Sequence, residues 1–463
     1  MATTINLKRI LDRKQWEMLN LCPSGTSTGS FATISTLRDQ WVYYFVSSTA
    51  HYAYDVAEDY WILLPSSAAG GTFGAGSCGE FHSMRGQLDQ ATGGTTTTVN
   101  TTITTARSMA GYKLRIVSGP GAGDEREILS NTIGTNAIFT VTSAFSATPT
   151  VLTFVQFITG SVYFWNAGTM SASSFRRYDL MTNAWAPLSV TGGPASWGTE
   201  GKLVATRSTD ALLVSSVATG GGATTLDDTT RSWGVNQFIN FQVRIVSGTG
   251  AGQIRTITAN TATQLTVGAA WTVNPDATSN YAIEGNDSFL YLTGNNSTVF
   301  YRYNIATNAW STLAARGGAP GAGMGANWIS LHPSWSDQSA FLNGRRIYSF
   351  RGAGGAILEY YDIPSNTWTT VTYSPAAEVF TTGSTHTDCN GIIYSHRDNT
   401  GRWFKFDPNT SLMGPWSYVW YGQSTAHQGD RAVVIRYTDG ATSLNWIAFP
   451  GNNQQIWHRC LIF

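Results

Sequence analysis

Short runs of apolar and aromatic side chains recur along the chain, each closed by Gly, Ser or Asn. They read "WVYYFVSS" (Trp41–Ser48), "SVYFWNAG" (Ser161–Gly168), "FLYLTGNN" (Phe289–Asn296), "RIYSFRGAGG" (Arg346–Gly355) and "IIYSHRDN" (Ile392–Asn399). Runs this short, rich in Tyr, Phe, Val and Ile and bounded by turn formers, predict strands rather than helices. A weaker small-residue strand precedes each, as in "SFATIST" (Ser30–Thr36) and "STHTDC" (Ser384–Cys389).

A second pattern follows each run. "HYAYDVAEDYW" (His51–Trp61), "FRRYDLMTNAW" (Phe175–Trp185), "YRYNIATNAW" (Tyr301–Trp310) and "LEYYDIPSNTW" (Leu358–Trp368) each place a Tyr seven residues before a Trp. Asp55, Asp179, Asn304 or Asp362 follows that Tyr. A fifth copy, Trp403–Trp416, carries Phe406 and Asp407 and a longer turn. Asp and Asn start such turns because their side chains bind nearby backbone N–H groups. The unit is a hairpin: a strand ending in an aromatic, a polar turn, and a strand opening with Trp. Four strands per unit, none able to bury its faces alone, predict the blades of a β-propeller, with each Trp packed between neighbours.

The Trp positions 61, 185, 310, 368 and 416 are unevenly spaced; the first two intervals are more than twice the last two. The excess is a duplication. "YKLRIVSGPGAGDEREILSNT" (Tyr112–Thr132) matches "FQVRIVSGTGAGQIRTITANT" (Phe241–Thr261), each within a Thr- and Gly-rich stretch. The expected organisation is a propeller part over 1–91, a first inserted β-module over 92–157, a propeller part over 158–216, a second inserted module over 217–284, and the remaining propeller over 285–463. Both modules fall between the first and second strands of a blade. Long insertions in exposed loops cost little closure entropy, so the ring is expected to fold without them. At the ends, "LNWIAFPGNNQQIWHRC" (Leu444–Cys460) lacks a Trp-bearing fourth strand, and "DRKQWEML" (Asp12–Leu19) supplies a match. The fold class is therefore all-β: a ring of six blades, seven being the alternative, with the last blade shared between the two ends of the chain.

The hairpin motif "YDLMTNAW", "YNIATNAW", "YDIPSNTW" resembles the Kelch family of propellers over most of the chain outside the two inserts. The usual Gly-Gly pair is kept only at Gly354–Gly355. The inserts, with "RIVSGxGAGQxRTI", resemble small β-modules of tailed-bacteriophage virion proteins. Those resemblances imply a Kelch-like propeller carried on a phage particle.

Composition narrows the chemistry. Of 463 residues 12% are charged, 28 basic against 28 acidic, while aromatics reach 13% with 17 Trp and 48 Gly. A net charge of zero argues against nucleic-acid binding or an anionic membrane surface. No apolar run is long enough to span a bilayer, and the first residues show no secretory h-region. Cys22, Cys78, Cys389 and Cys460 are widely spaced and read as free thiols of a reducing compartment.

Some Kelch-type propellers are carbohydrate oxidases, whose copper needs a Tyr–Cys cross-link and paired His ligands. "HTDCNGIIYSH" offers His386, Cys389 and His396, but strand alternation puts His386 and Cys389 on opposite faces. Asp388 and Asp398 form no carboxylate pair. "GEFHSMRG" offers His82 and Arg85, with Cys78 and Ser83 nearby and no nucleophile elbow. "GPGAGDER" and "GTGAGQIR" mimic phosphate cradles but lack the following Lys-Ser/Thr and read as tight turns. No catalytic, cofactor-binding or metal residue is assigned and no cofactor is expected. The chain is read as non-enzymatic: a structural virion protein of the tail, baseplate, neck or capsid surface, assembled in the host cytoplasm and acting as a rigid docking platform. Its partners are other virion proteins in a symmetric multi-copy assembly. The alternatives are a host-receptor or glycan-binding module, using Trp197, Trp328 or Trp335 to stack on sugars, and a glycan-processing enzyme.

Overall fold

A computed structural model describes residues 17–18, 21–24, 31–34, 41–47, 49–55, 59–65, 73, 77–82, 85–106, 108–166, 174–194, 202–205, 214–236, 238–239, 241–284, 289–293, 298–305, 307–317, 328–330, 346–350, 357–363, 365–373, 385–389, 392–397, 402–418, 433–439, 442–450 and 457–462. Every regular element among them is a strand. Six antiparallel four-stranded sheets share one up-and-down order. Ring sheet one is Phe31–Ile34, Trp41–Phe45, His51–Asp55 and Tyr60–Leu64. Sheet two is Cys78–His82, Ser161–Trp165, Phe175–Asp179 and Ala184–Pro187. Sheet three is Lys202–Ala205, Phe289–Thr293, Phe300–Asn304 and Ala309–Leu313. Sheet four is Trp328–Ser330, Arg346–Phe350, Leu358–Asp362 and Thr367–Val371. Sheet five is Thr385–Cys389, Ile392–Arg397, Arg402–Asp407 and Leu412–Tyr418.

Sheet six draws on both ends of the chain: Val433–Asp439, Thr442–Pro450 and Trp457–Ile462 are completed by Glu17–Met18, with Glu17 opposite Arg459 and Met18 opposite His458. The first strands of the six sheets touch in order, one to two and onward to six, and sheet six returns to sheet one. The result is a propeller-like ring whose sheets leave no end sheet exposed to pair with another chain.

The recurring Tyr, Asn and Trp hold this ring together. Tyr54, Tyr178, Tyr303 and Tyr361 lie in register opposite Trp61, Trp185, Trp310 and Trp368. The turn between them needs one residue at positive φ: Asp59, Asn183, Asn308 and Asn366 sit between 52° and 56°. Asn and Asp tolerate that conformation better than other side chains bearing a Cβ. The Tyr hydroxyl of each hairpin donates to this residue's side chain, at 2.6 Å for Tyr303–Asn308 and 2.8 Å for Tyr361–Asn366.

The same side-chain oxygen also reaches the preceding sheet. Asn308 accepts from the Ser189 N–H and Asn366 from the Ala314 N–H, both at 2.9 Å. The Trp indole N–H does likewise: Trp185 donates to Pro65 O at 3.3 Å, Trp310 to Ser189 O at 2.8 Å and Trp368 to Ala314 O at 3.0 Å. The rings then pack on the preceding sheet, Trp185 against Phe45 and His51, Trp310 against Trp165 and Phe175, and Trp368 against Phe300. The hairpins of sheets two, three and four are thus wedges tied by hydrogen bonds to their neighbours. Between sheets three and four a buried Arg316 adds an ion pair to Glu359 at 2.5 Å and a bond to Ser349 at 2.9 Å.

Two seven-stranded sheets complete the structure. The first comprises Arg85–Gln90, Phe154–Ile158, Lys113–Ser118, Glu125–Asn131, Ile138–Val141, Thr98–Asn100 and Gly93–Thr95 in spatial order. The second comprises Val214–Val217, Asn280–Glu284, Gln242–Ser247, Ile254–Asn260, Gln264–Val267, Thr225–Asp227 and Gly220–Gly221. In chain order each falls between the first and second strands of its ring sheet, two and three respectively. They begin at Arg85 and Val214, ahead of the 92 and 217 expected from the Thr- and Gly-rich composition, because their first strands carry ordinary strand residues.

The first of these sheets does not sit apart from the ring. Its Tyr112, Leu114, Ile128, Phe139 and Phe157 belong to one continuous apolar cluster with ring residues Phe31, Tyr43, Phe81 and Tyr178. The second has a cluster of its own residues, around Phe241, Val243, Ile257, Leu265 and Tyr281. The expectation that the ring is indifferent to its insertions therefore needs correction for the first, whose core is part of the ring's.

Candidate functional site in the two inserted sheets

The side chains that suggested chemistry are dispersed. His386 is buried, hydrogen-bonded to Ser395 at 2.7 Å and stacked on Phe350 at 4.7 Å. His396 is the register partner of Thr385, not of His386, so the two imidazoles leave opposite faces of sheet five. Burial lowers the His396 pKa to about 4, and its ring rests against Trp403. His82 is pushed down to about 3 by burial and meets the edge of Tyr163. Both imidazoles are therefore neutral packing groups at ordinary pH.

Cys22 and Cys78 are buried, and burial raises the Cys22 pKa to about 11, which leaves it a poor nucleophile. Among the described residues no three His, Cys, Asp or Glu gather as a metal site. The side chains of Arg85, Trp328, Asp388 and Cys389, and residues Ser83, Trp197, Trp335, Gly354, Gly355 and Asp398, lie outside what the structure describes.

The duplicated motif is well defined by comparison. In "SGPGAGDER" the glycines Gly119, Gly121 and Gly123 take φ of 83°, 81° and 94°; in "SGTGAGQIR" Gly248, Gly250 and Gly252 take 79°, 78° and 86°. Their backbone N–H groups turn inward. Ala122 donates to Gly119 O, Gly123 to Ile116 O and Asp124 to Gly121 O, with the same pattern at Ala251, Gly252 and Gln253. A loop that spends its amides this way is a closed turn rather than an anion cradle.

The Arg that ends each motif clamps a neighbouring loop. Arg126 donates to Ala144 O and lies over Phe145; Arg255 donates to Ala270 O and lies over Trp271. Asn131 and Asn260 make matching bonds, accepting from Met109 N and Phe238 N. The signal for these roles was present in the sequence as identical residues at identical spacing.

The sheets differ on their surfaces. The first exposes Leu129 at 57%, Ile133 at 67% and Ile138 at 39%. The matched positions of the second are Thr258, Ala262 and Gln264. Sequence reading missed this asymmetry, which shows only when strand register aligns "IFTV" (Ile138–Val141) with "QLTV" (Gln264–Val267).

No protein-family model matches the chain, and no curated protein matches it. Solved structures do match, among them one described as "Streptogramin B lyase structure", at 10% identity over 97% of this chain and 98% of that one, with a TM-score of 0.38. So distant a likeness says nothing of activity.

Proposed function

We propose that this chain is a structural component of a tailed-bacteriophage particle. In this reading it is a six-bladed Kelch-type propeller with two inserted β-domains, serving as a non-enzymatic docking platform. The observation that carries it is the exposed aliphatic end of the first inserted sheet, Leu129, Ile133 and Ile138. The second sheet keeps the same turn and clamps but has the small or polar Thr258, Ala262 and Gln264 there. Exposed large aliphatics at positions where the matched unit carries small or polar side chains are the mark of a contact surface. The phage-like motif and the low, balanced charge support the particle setting.

Leu129→Ser with Ile133→Ser tests the reading, because both side chains lie outside the core. The variant is expected to keep the parental melting temperature and to be lost from purified particles. Normal incorporation removes the docking role. Normal incorporation with lost host adsorption transfers the surface to receptor binding.

A further inference from the structure

The third glycine of each motif has a neighbour that the turn itself does not require. A Cβ placed on Gly123 would lie 2.0 Å from the carbonyl oxygen of Val246, in the other sheet. A Cβ placed on Gly252 would lie 2.4 Å from the carbonyl oxygen of Val117. The contact is reciprocal, because Val117 and Val246 occupy the same place in the two motifs. Ala251 and Ala122 flank these approaches in the same crossed fashion, their Cβ atoms 3.5 Å and 3.6 Å away from the two placed Cβ positions.

Each valine sits in a register shift, between Ile116 and Ser118 in one sheet and between Ile245 and Ser247 in the other. A bulge leaves its extra residue outside the ladder, which frees the carbonyl to face outward. Each sheet therefore offers one protruding carbonyl and one bare glycine Cα, and receives the same pair in return. Residue i meeting j while j meets i is the signature of a two-fold, self-complementary interface.

Side chains break the symmetry at Glu125. Arg115 and Arg244 are equivalent, and both converge on Glu125, at 2.7 Å and 3.5 Å. The residue equivalent to Glu125 in the second sheet is Ile254. A pair of first sheets would have an Arg and a Glu on each side; a pair of second sheets would have no such carboxylate.

We propose that the inserted sheet is a pairing unit with a self-complementary face, and that within this chain the second sheet occupies the face on which a second copy of the first sheet would otherwise dock. This stands independently of the particle reading, since it concerns only the two sheets. It also assigns the third glycine a role that a turn alone does not give it.

Two experiments test it. In the full chain, Gly252→Val should abolish hydrogen-exchange protection in the turn 119–124 of the other sheet. Gly250→Ala, whose added Cβ meets Gln253 and Val273 of its own sheet, is the control and should leave that turn protected. Unchanged protection in Gly252→Val, or equal loss in the control, overturns the proposal. In the second experiment residues 214–284 are replaced by a short Gly-Ser link. Among the described residues the core removed contains no ring residue, so the other described clusters stay whole. The shortened chain should double in mass by light scattering as concentration rises through the micromolar range, and Gly123→Val should return it to monomer. A shortened chain that stays monomeric, or a dimer indifferent to Gly123→Val, sinks the proposal.

Discussion

The two inserted sheets share a motif, a turn and a set of clamps, yet they stand in different relations to the ring. The first contributes Leu114, Phe139 and Phe157 to a cluster that runs on into Phe31, Tyr43 and Tyr178. The second closes its core on itself. A duplicated unit can thus be a load sharer in one place and a passenger in another, and the difference lies in what its outer strands meet rather than in its own fold. The sharpest way to break the comparison is to excise each sheet. Replacing 85–158 by a short link removes most of the shared cluster and is expected to cost the ring its cooperative melt. Replacing 214–284 is expected to leave the ring's transition close to parental in calorimetry. Equal effects would mean that the cores are not divided as described.

Trp310→Ala separates the ring's own joints from this comparison. Trp310 is 9% exposed and bridges sheets two and three, within a cluster that contains no described residue of either inserted sheet. Large-to-small truncation of a buried aromatic costs about 3–5 kcal/mol. Denaturant melts should show that loss for the ring, while exchange protection inside the second inserted sheet stays unchanged. A second sheet that loosens in parallel would tie it to the ring after all.

The ring was legible in the sequence because each hairpin needs the same chemistry. An Asn or Asp at positive φ, a Tyr to bind it and a Trp to reach the preceding sheet recur at fixed spacing, so Asn183, Asn308 and Asn366 declare themselves. The inserted sheets were legible as a duplication for the same reason. Their relations to other parts were not. Tyr112 and Phe241 align and differ by one hydroxyl, but nothing local says that one faces Tyr43 of the ring and the other does not. Gly123 and Gly252 look like turn glycines, because the turn also gives them positive φ, and the carbonyl approaching each comes from a residue more than a hundred positions away. The candidate chemistry at His386 and His396 dissolved because register, which a sequence shows only as alternation, sends the rings to opposite faces.

Acid gives a smaller and more specific separation of the two sheets. Burial would raise the Asp228 carboxyl, but hydrogen bonds from Thr230, Tyr281 and Ser216 outweigh it and bring the pKa to about 2. A carboxyl whose folded pKa lies below its unfolded value stabilises the fold above the unfolded pKa, and that contribution is lost as pH falls through the folded one. The window therefore runs from the ordinary aspartate value of 3.8 down to about 2. In the first sheet the matched positions are Thr101 and Val155, which do not titrate. Exchange protection across 254–267 should decline in this window ahead of protection across 125–141. Asp228→Asn should flatten that decline, and the difference between the sheets should shrink.

The smallest effect belongs to the hydroxyl that distinguishes the aligned aromatics. Tyr112 and Tyr43 meet hydroxyl to hydroxyl at 3.4 Å, both rings buried, one in the first inserted sheet and one in ring sheet one. Tyr112→Phe installs the residue that the second sheet already has at Phe241 and keeps the ring volume, so no cavity forms. What is lost is one long, buried hydrogen bond, and a net bond is worth about 0.5–1.5 kcal/mol, with long geometry placing this one at the lower end. Tyr43→Phe alone should cost a similar amount, and the double variant should cost less than the sum, because the one bond the two hydroxyls share can be lost only once. A double variant that costs the full sum would show that each hydroxyl is held by other groups, and that the first sheet joins the ring through apolar packing alone.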